Sequence, residues 1–295
     1  MKVLCTFSGK YGDILWSLPT ARQIAKDIAC DPVDFAMMPY YESLCPLIEA
    51  QEYIRRCFVI PDWIRTHSNH GDGPWEAPTF KEQYEGREWT ATVGRHEDFT
   101  AGYLYDKVYQ LTYKAHPGIS APSMALVDFV AYQQGIQLQQ PVVPFISTGK
   151  KRMWHENGLM VAVAFNEQYD ELKKQFIREL AARVGEMTRE NHYTVDLHDV
   201  ANLPWLEAAQ VIEDADLFIG CRSANWVIAM GLGKQTITYE PHPSRHASCH
   251  LGKVFGCPYG QEYPLPYMMP PAVAAEAAAG MIRKRIEEVK EKVTA

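Results

Sequence analysis

Near the start of the chain, Gly9, Lys10, Tyr11, Gly12 and Asp13 bring a cation, a phenol and a carboxylate together with two glycines. An apolar run, "KVLCTF", precedes them, and a helical pattern, "WSLPTARQIAKDIA", follows. Three uses suit such a loop: a phosphate cradle, a catalytic station, or a tight turn. Gly-x-x-x-x-Gly-Lys-Ser/Thr is absent, and so is Gly-x-Gly-x-x-Gly, so neither nucleotide fingerprint applies. What remains is a glycine-bearing strand-to-helix turn in which Gly9 and Gly12 would let a ligand approach the backbone. Asp13 then reads either as an N-cap or as a carboxylate presented to a ligand, and the local pattern leaves both open.

Three further loops carry comparable groups. In "DLFIGCRSANWVIAMGLGK", Cys221 and Arg222 precede Ser223, Ala224 and Asn225, where a helix begins. The N–H groups and dipole of that helix end favour an anion, and the Arg222 guanidinium is a fork suited to phosphate. The plainer reading is a helix capped by Ser223, with Arg222 in a surface ion pair. Asn166, Glu167 and Gln168 follow the strand-like "LMVAVAF". Tyr239, Glu240 and His242 follow "QTIT", and a carboxylate there would accept hydrogen bonds from a ribose diol. His242, His246 and His250 are spaced by four, as on one face of a helix. Pro243 weakens that helix and no acidic partner is placed, so they read as surface or cleft histidines and no metal site is expected.

The elements that must position these groups follow from hydropathy. "KVLCTF", "VDFAMM" and "RRCFVI" read as buried strands separated by helical patterns, the second of them interrupted by Pro46. Residues 61–117 break the alternation and read as an irregular insertion, rich in Gly, His and Trp. "SAPSMALVDFVAYQQGI" reads as a helix stopped by Gly135, and residues 137–158 as a linker. A second series of strands and helices follows, closed by a helix over 271–292 that starts at a proline. The expectation is an α/β protein of two Rossmann-like domains, 1–145 and 146–295, facing each other across a cleft. Ligands in such sheets bind outside the carboxyl ends of the strands, where all four loops fall if the sheets are parallel.

The bulk properties narrow the class. A chain of 295 residues that is 47% hydrophobic can bury a real core. Its net charge of -7 gives no overall attraction to a polyanion, so nucleic acid is unsupported as a partner, although a local basic cleft stays open. Seven irregularly spaced cysteines without a Cys-x-x-Cys read as free thiols in a reducing compartment. No apolar stretch approaches the roughly 20 residues that span a bilayer. A cytoplasmic protein is expected, with peripheral membrane contact left open.

"GKYGDILWSLPTARQIA" resembles the opening of the heptosyltransferase-like glycosyltransferase family 9, and "LPWLEAAQVIEDADLFIGCRSANWVIAMGLGKQTITYEPHPS" resembles that family's donor half. The resemblance implies a GT-B architecture, with the acceptor bound by the N-terminal half and a nucleotide-sugar donor by the C-terminal half. It implies metal-independent transfer to a hydroxyl acceptor, with no cofactor besides the nucleotide-sugar co-substrate. It further implies that Asp13 is the general base, with Gly9, Lys10, Tyr11 and Gly12 on the acceptor side. The loop of Arg222 and Ser223 would hold the diphosphate. Where the family has Asp-Ser-Gly this chain has Arg222-Ser223-Ala224, and Val227 stands at the family's histidine. Two other readings remain: a non-catalytic nucleotide-sugar or carbohydrate binding protein, and a phage-type glycosyltransferase acting on modified DNA bases.

Overall fold

The computed structural model describes residues 1–7, 11–59, 79–84, 87–92, 105–111, 126–149, 158–165, 171–191, 194–240, 262–266 and 268–294. They fall into two compact units that part at Gly149.

The first unit is built on four parallel strands. β1 (Val3–Phe7) leads into α1 (Tyr11–Ile24), which widens into a π turn over Ala25–Ala29 and ends at Cys30 with φ 55°. β2 (Val33–Met37) runs into a 3-10 segment (Pro39–Leu44), then α2 (Cys45–Glu49) and β3 (Ile54–Val59). β4 (Thr79–Tyr84) and β5 (Arg87–Thr92) pair as an antiparallel hairpin. β6 (Lys107–Leu111) returns beside β1, and α3 (Leu126–Gln133) follows. The strand order is β3-β2-β1-β6. Every residue of β1 and β2 is buried, as expected where both faces of a parallel sheet are covered.

Two segments depart from the sequence-level reading. The stretch 61–117 is not wholly irregular, because it supplies β4, β5 and the sheet strand β6. Only five residues of β6 enter the sheet, with Val108, Tyr109 and Leu111 buried, so its hydropathy signal is short. The segment 137–158, read as a linker, is bound into the first unit over its part 137–149. Val142, Phe145 and Ile146 are buried there. Arg22, in the last turn of α1, donates to the carbonyls of Val142 and Pro144. Gln51 donates to the Ser147 carbonyl and accepts from its amide, and the Tyr53 hydroxyl donates to the Phe145 carbonyl at 2.6 Å. This cover explains why α1 is buried well beyond a single apolar stripe, Ser17 and Thr20 included.

The second unit holds five parallel strands. They are β7 (Gly158–Ala164), β8 (Thr194–Asp199), β9 (Leu217–Gly220), β10 (Thr236–Thr238) and β11 (Glu262–Pro264), in the order β11-β10-β9-β7-β8. The helices are α4 (Glu171–Asn191), α5 (Trp205–Asp214), α6 (Ala224–Gly231) and α7 (Pro271–Thr294). α4 and α7 share one core: Phe176, Leu180, Val184 and Met187 meet Ala274, Ala275, Ala278 and Ile282 over the sheet. The alanines of α7 keep that contact close, and burying such side chains is what stabilises the layer.

Both sheets reverse direction of growth beside their first strand. In the first unit β2 and β3 lie on one side of β1 and β6 on the other. In the second, β8 lies on one side of β7 and β9 on the other. Open sheets bind ligands at the carboxyl ends of strands at such points. Among the described residues no helix is long and apolar enough to cross a membrane.

Candidate functional site

In the first unit α1 starts at Tyr11, earlier than the sequence pattern indicates. Tyr11, Gly12 and Asp13 are therefore the first turn of the helix and not part of the loop before it. Asp13 is the third helical residue, past the capping position, and is half-buried beside the carboxyl end of β1. A carboxylate there is favoured by the positive end of the helix dipole. Gly9 and Lys10 lie outside the described residues. Tyr11 reaches the 3-10 segment after β2. Its hydroxyl donates to the Tyr40 carbonyl at 3.3 Å and receives the Ser43 hydroxyl at 3.5 Å. Its ring meets the buried Tyr41 ring edge-on, with centroids 4.8 Å apart.

In the second unit β9 ends at Gly220 against β7. A Cβ at Gly220 would lie 2.2 Å from the Ala164 carbonyl oxygen, so only glycine fits there. The chain then turns through Cys221 and Arg222 into α6. Ser223 is the N-cap residue, with extended backbone at φ -146°, yet its side chain makes no capping bond. The Ser223 Oγ and the Asn225 Oδ1 are buried and have no hydrogen-bond partner among the described residues. Beside them stand the first N–H groups of the helix, which have no intrahelical acceptor. Other buried side-chain oxygens, those of Thr6 and Thr20 in the first unit among them, share this state; the pair differs in standing together at a helix start.

Arg222 is placed differently from both sequence-level readings. Its guanidinium is not a surface group and does not stand free as a phosphate fork. Nε donates to Glu262 Oε1 at 2.9 Å and Nη2 to Oε2 at 3.3 Å, with both side chains more than nine-tenths buried. The Arg222 amide donates to Glu240 Oε1 at 2.8 Å, and the Thr238 hydroxyl donates to Glu262 Oε1 at 2.8 Å. The guanidinium also lies 5.8 Å from the Trp226 ring centre. Glu240 thus fixes the loop backbone. Glu262, which ties β11 to the loop, escapes a sequence reading because it sits in a polar stretch without periodicity.

Tyr239 belongs to the core. It is fully buried, its ring stacks on Phe176 with centroids 4.5 Å apart, and its hydroxyl donates to the Met269 carbonyl. Its ring and its hydroxyl are thus both engaged within the second unit. Ala224 opens α6 and is half-buried. Asn166, Glu167, Gln168 and His242 lie outside the described residues, as do His246 and His250. Among the described residues no group of three His, Cys, Asp or Glu side chains is placed to hold a metal ion.

No family model matches the chain, and no curated protein matches it. Solved structures do. The Escherichia coli heptosyltransferase WaaC, solved with ADP, is 13% identical, with a TM-score of 0.52 over 97% of this chain and 100% of its own. A glycosyltransferase of family 9 from Veillonella parvula is 11% identical, with a TM-score of 0.54 over 98% of this chain and 96% of its own. The iron-containing dodecameric glycosyltransferase TibC from enterotoxigenic E. coli is 12% identical, with a TM-score of 0.52 over 99% of this chain and 77% of its own. The chain has the two-sheet α/β fold of these heptosyltransferase-like proteins, which is the GT-B class that the sequence resemblance implies.

Proposed function

We propose that the chain is a glycosyltransferase that moves a sugar from a nucleotide-sugar donor to an acceptor hydroxyl. The observation that supports this most is the unmet pair at the start of α6, Ser223 Oγ and Asn225 Oδ1, in a fold shared with solved glycosyltransferases. In this reading the α6 N–H groups and the Ser223 hydroxyl hold the diphosphate, stabilising the charge that develops as it leaves. Arg222 acts behind them, bracing the loop through Glu262. Asp13 is the general base. The acceptor oxygen attacks the anomeric carbon, its proton passes to the Asp13 carboxylate, and the bond from the anomeric carbon to the phosphate oxygen breaks. The nucleoside diphosphate leaves with that electron pair, and no metal ion takes part.

The test is Asp13→Asn. Removing a general base lowers turnover by roughly 10²- to 10⁴-fold, while affinity for a nucleoside diphosphate stays level by calorimetry. ADP is the first ligand to try, because WaaC was solved with it. Full turnover in Asp13→Asn would refute the base assignment, and loss of turnover on chelation would refute metal independence. The commitment of Arg222 to Glu262 also favours a second reading, a binding protein without turnover. Product formed by the wild type and not by Asp13→Asn excludes it.

A further inference from the structure

α2 begins at Cys45 and ends at Glu49, so these two side chains lie one turn apart on the same helix face. Glu49 Oε1 accepts the backbone N–H of Cys57, in the middle of β3, at 2.8 Å. That bond turns the Cys45 face of α2 towards Cys57. The two thiols meet there, with Cys57 donating its S–H to the Cys45 sulfur. Cys57 is buried, while Cys45 is half-buried and keeps part of its surface in solvent. β3 is an edge strand of its sheet, and α2 lies against it.

The surroundings divide the two sulfurs by role. The hydrogen bond from Cys57 holds the Cys45 thiol below the ordinary thiol range, against its own burial and the charges of Glu49 and Glu42. Burial pushes the Cys57 thiol up, so it keeps its proton. The sulfur that solvent reaches is therefore the better nucleophile, and the buried one waits beside it.

We propose that Cys45 and Cys57 form an oxidation site that takes a hydroperoxide and closes to a disulfide, with Cys45 attacking and Cys57 resolving. The Cys45 thiolate attacks one peroxide oxygen and the O–O bond breaks. Cys45 becomes a sulfenic acid, and the departing hydroxide takes up the proton that the thiol gave away. The Cys57 sulfur then attacks the Cys45 sulfur. The S–S bond forms, the S–O bond breaks, and the hydroxide leaves as water with the Cys57 proton. Two thiols and one hydrogen peroxide thus give one disulfide and two waters, and the thiols supply both electrons. The bond clamps α2 to the edge strand, and a dithiol reductant reopens it.

The full chain is treated with one equivalent of hydrogen peroxide, digested without reductant, and read by mass spectrometry. The wild type loses two of its seven thiols, yields a peptide cross-linked through Cys45 and Cys57, and regains both thiols with dithiothreitol. In Cys57→Ser the reaction stops at the sulfenic acid, which dimedone labels on Cys45. In Cys45→Ser the Cys57 thiol stays reduced. Absence of the cross-linked peptide from the wild type overturns the proposal, whatever the variants do. Oxidation of Cys30, the exposed cysteine, ahead of Cys45 overturns it too. Turnover is not read in this experiment, so its outcome is independent of the glycosyl-transfer reading.

Discussion

Arg222 and Glu262 form a two-pronged ion pair inside the second unit, Nε to Oε1 at 2.9 Å and Nη2 to Oε2 at 3.3 Å. The pair joins the turn after β9 to the first residue of β11, two segments 40 residues apart in sequence. Glu262 takes a further bond from Thr238 on the strand between them. The charge at the turn is therefore balanced from within before any ligand arrives.

Removing either partner leaves a buried charge without its counter-ion, a loss of roughly 3–5 kcal/mol. Arg222→Met and Glu262→Leu should each lower the urea midpoint strongly. The double variant should recover much of the loss, since two apolar side chains of similar volume can replace a buried pair. Should Arg222→Met keep its stability and lose only nucleoside diphosphate affinity, Arg222 contacts the ligand and is not a brace.

The alternation of strands and helices is legible in the sequence because each buried strand is a continuous apolar run, as in "KVLCTF" and "DLFIG". β6 and β11 are not. Each is short, and β11 exposes two of its three residues, so neither leaves a clear period. The position of Asp13 is legible as a strand-to-helix site, but the true start of α1 at Tyr11 is not, since glycine is a poor helix former and Gly12 reads as part of a loop. The character of Arg222 is hidden for another reason. Whether a guanidinium is free or paired depends on a residue distant in sequence, and nothing local to Arg222 names Glu262. Tyr239 misleads because a strand's last residues belong by turns to the core and to the loop.

Gly220, the last residue of β9, is paired with Ala164 of β7. A methyl group there would stand 2.2 Å from the Ala164 carbonyl oxygen and 3.0 Å from the Phe218 ring, and the backbone atom cannot yield cheaply. Gly220→Ala should cost roughly 1–3 kcal/mol, the usual range for forced overpacking. A Cβ added at Gly280, inside α7, would meet nothing within 4 Å. Gly280→Ala should therefore raise stability by about 0.5–1 kcal/mol, as alanine does in a helix interior. Thermal melting of the two variants separates a steric need for glycine from its general helix penalty, and shifts of the same sign in both would refute the steric account.

Asp34 makes the first unit sensitive to acid. Burial would raise its pKa, but hydrogen bonds from Arg55 at 2.8 Å, Tyr105 at 2.6 Å and Arg56 at 2.7 Å outweigh that and hold the carboxyl below its ordinary value. The same bonds tie β2 to β3 and to the residue that leads into β6. A carboxyl whose folded pKa lies below its unfolded one stabilises the fold fully above the unfolded value of about 3.9. That contribution fades as pH falls through the folded value. Asp34→Asn resembles the protonated acid, so at pH 7 it should be less stable than the wild type by roughly 1–3 kcal/mol. The gap should then close as pH drops below about 4. Urea midpoints of both proteins across that window decide it. A gap that stays constant into acid would mean that Asp34 acts by shape alone, and that the two arginines gain nothing from its charge.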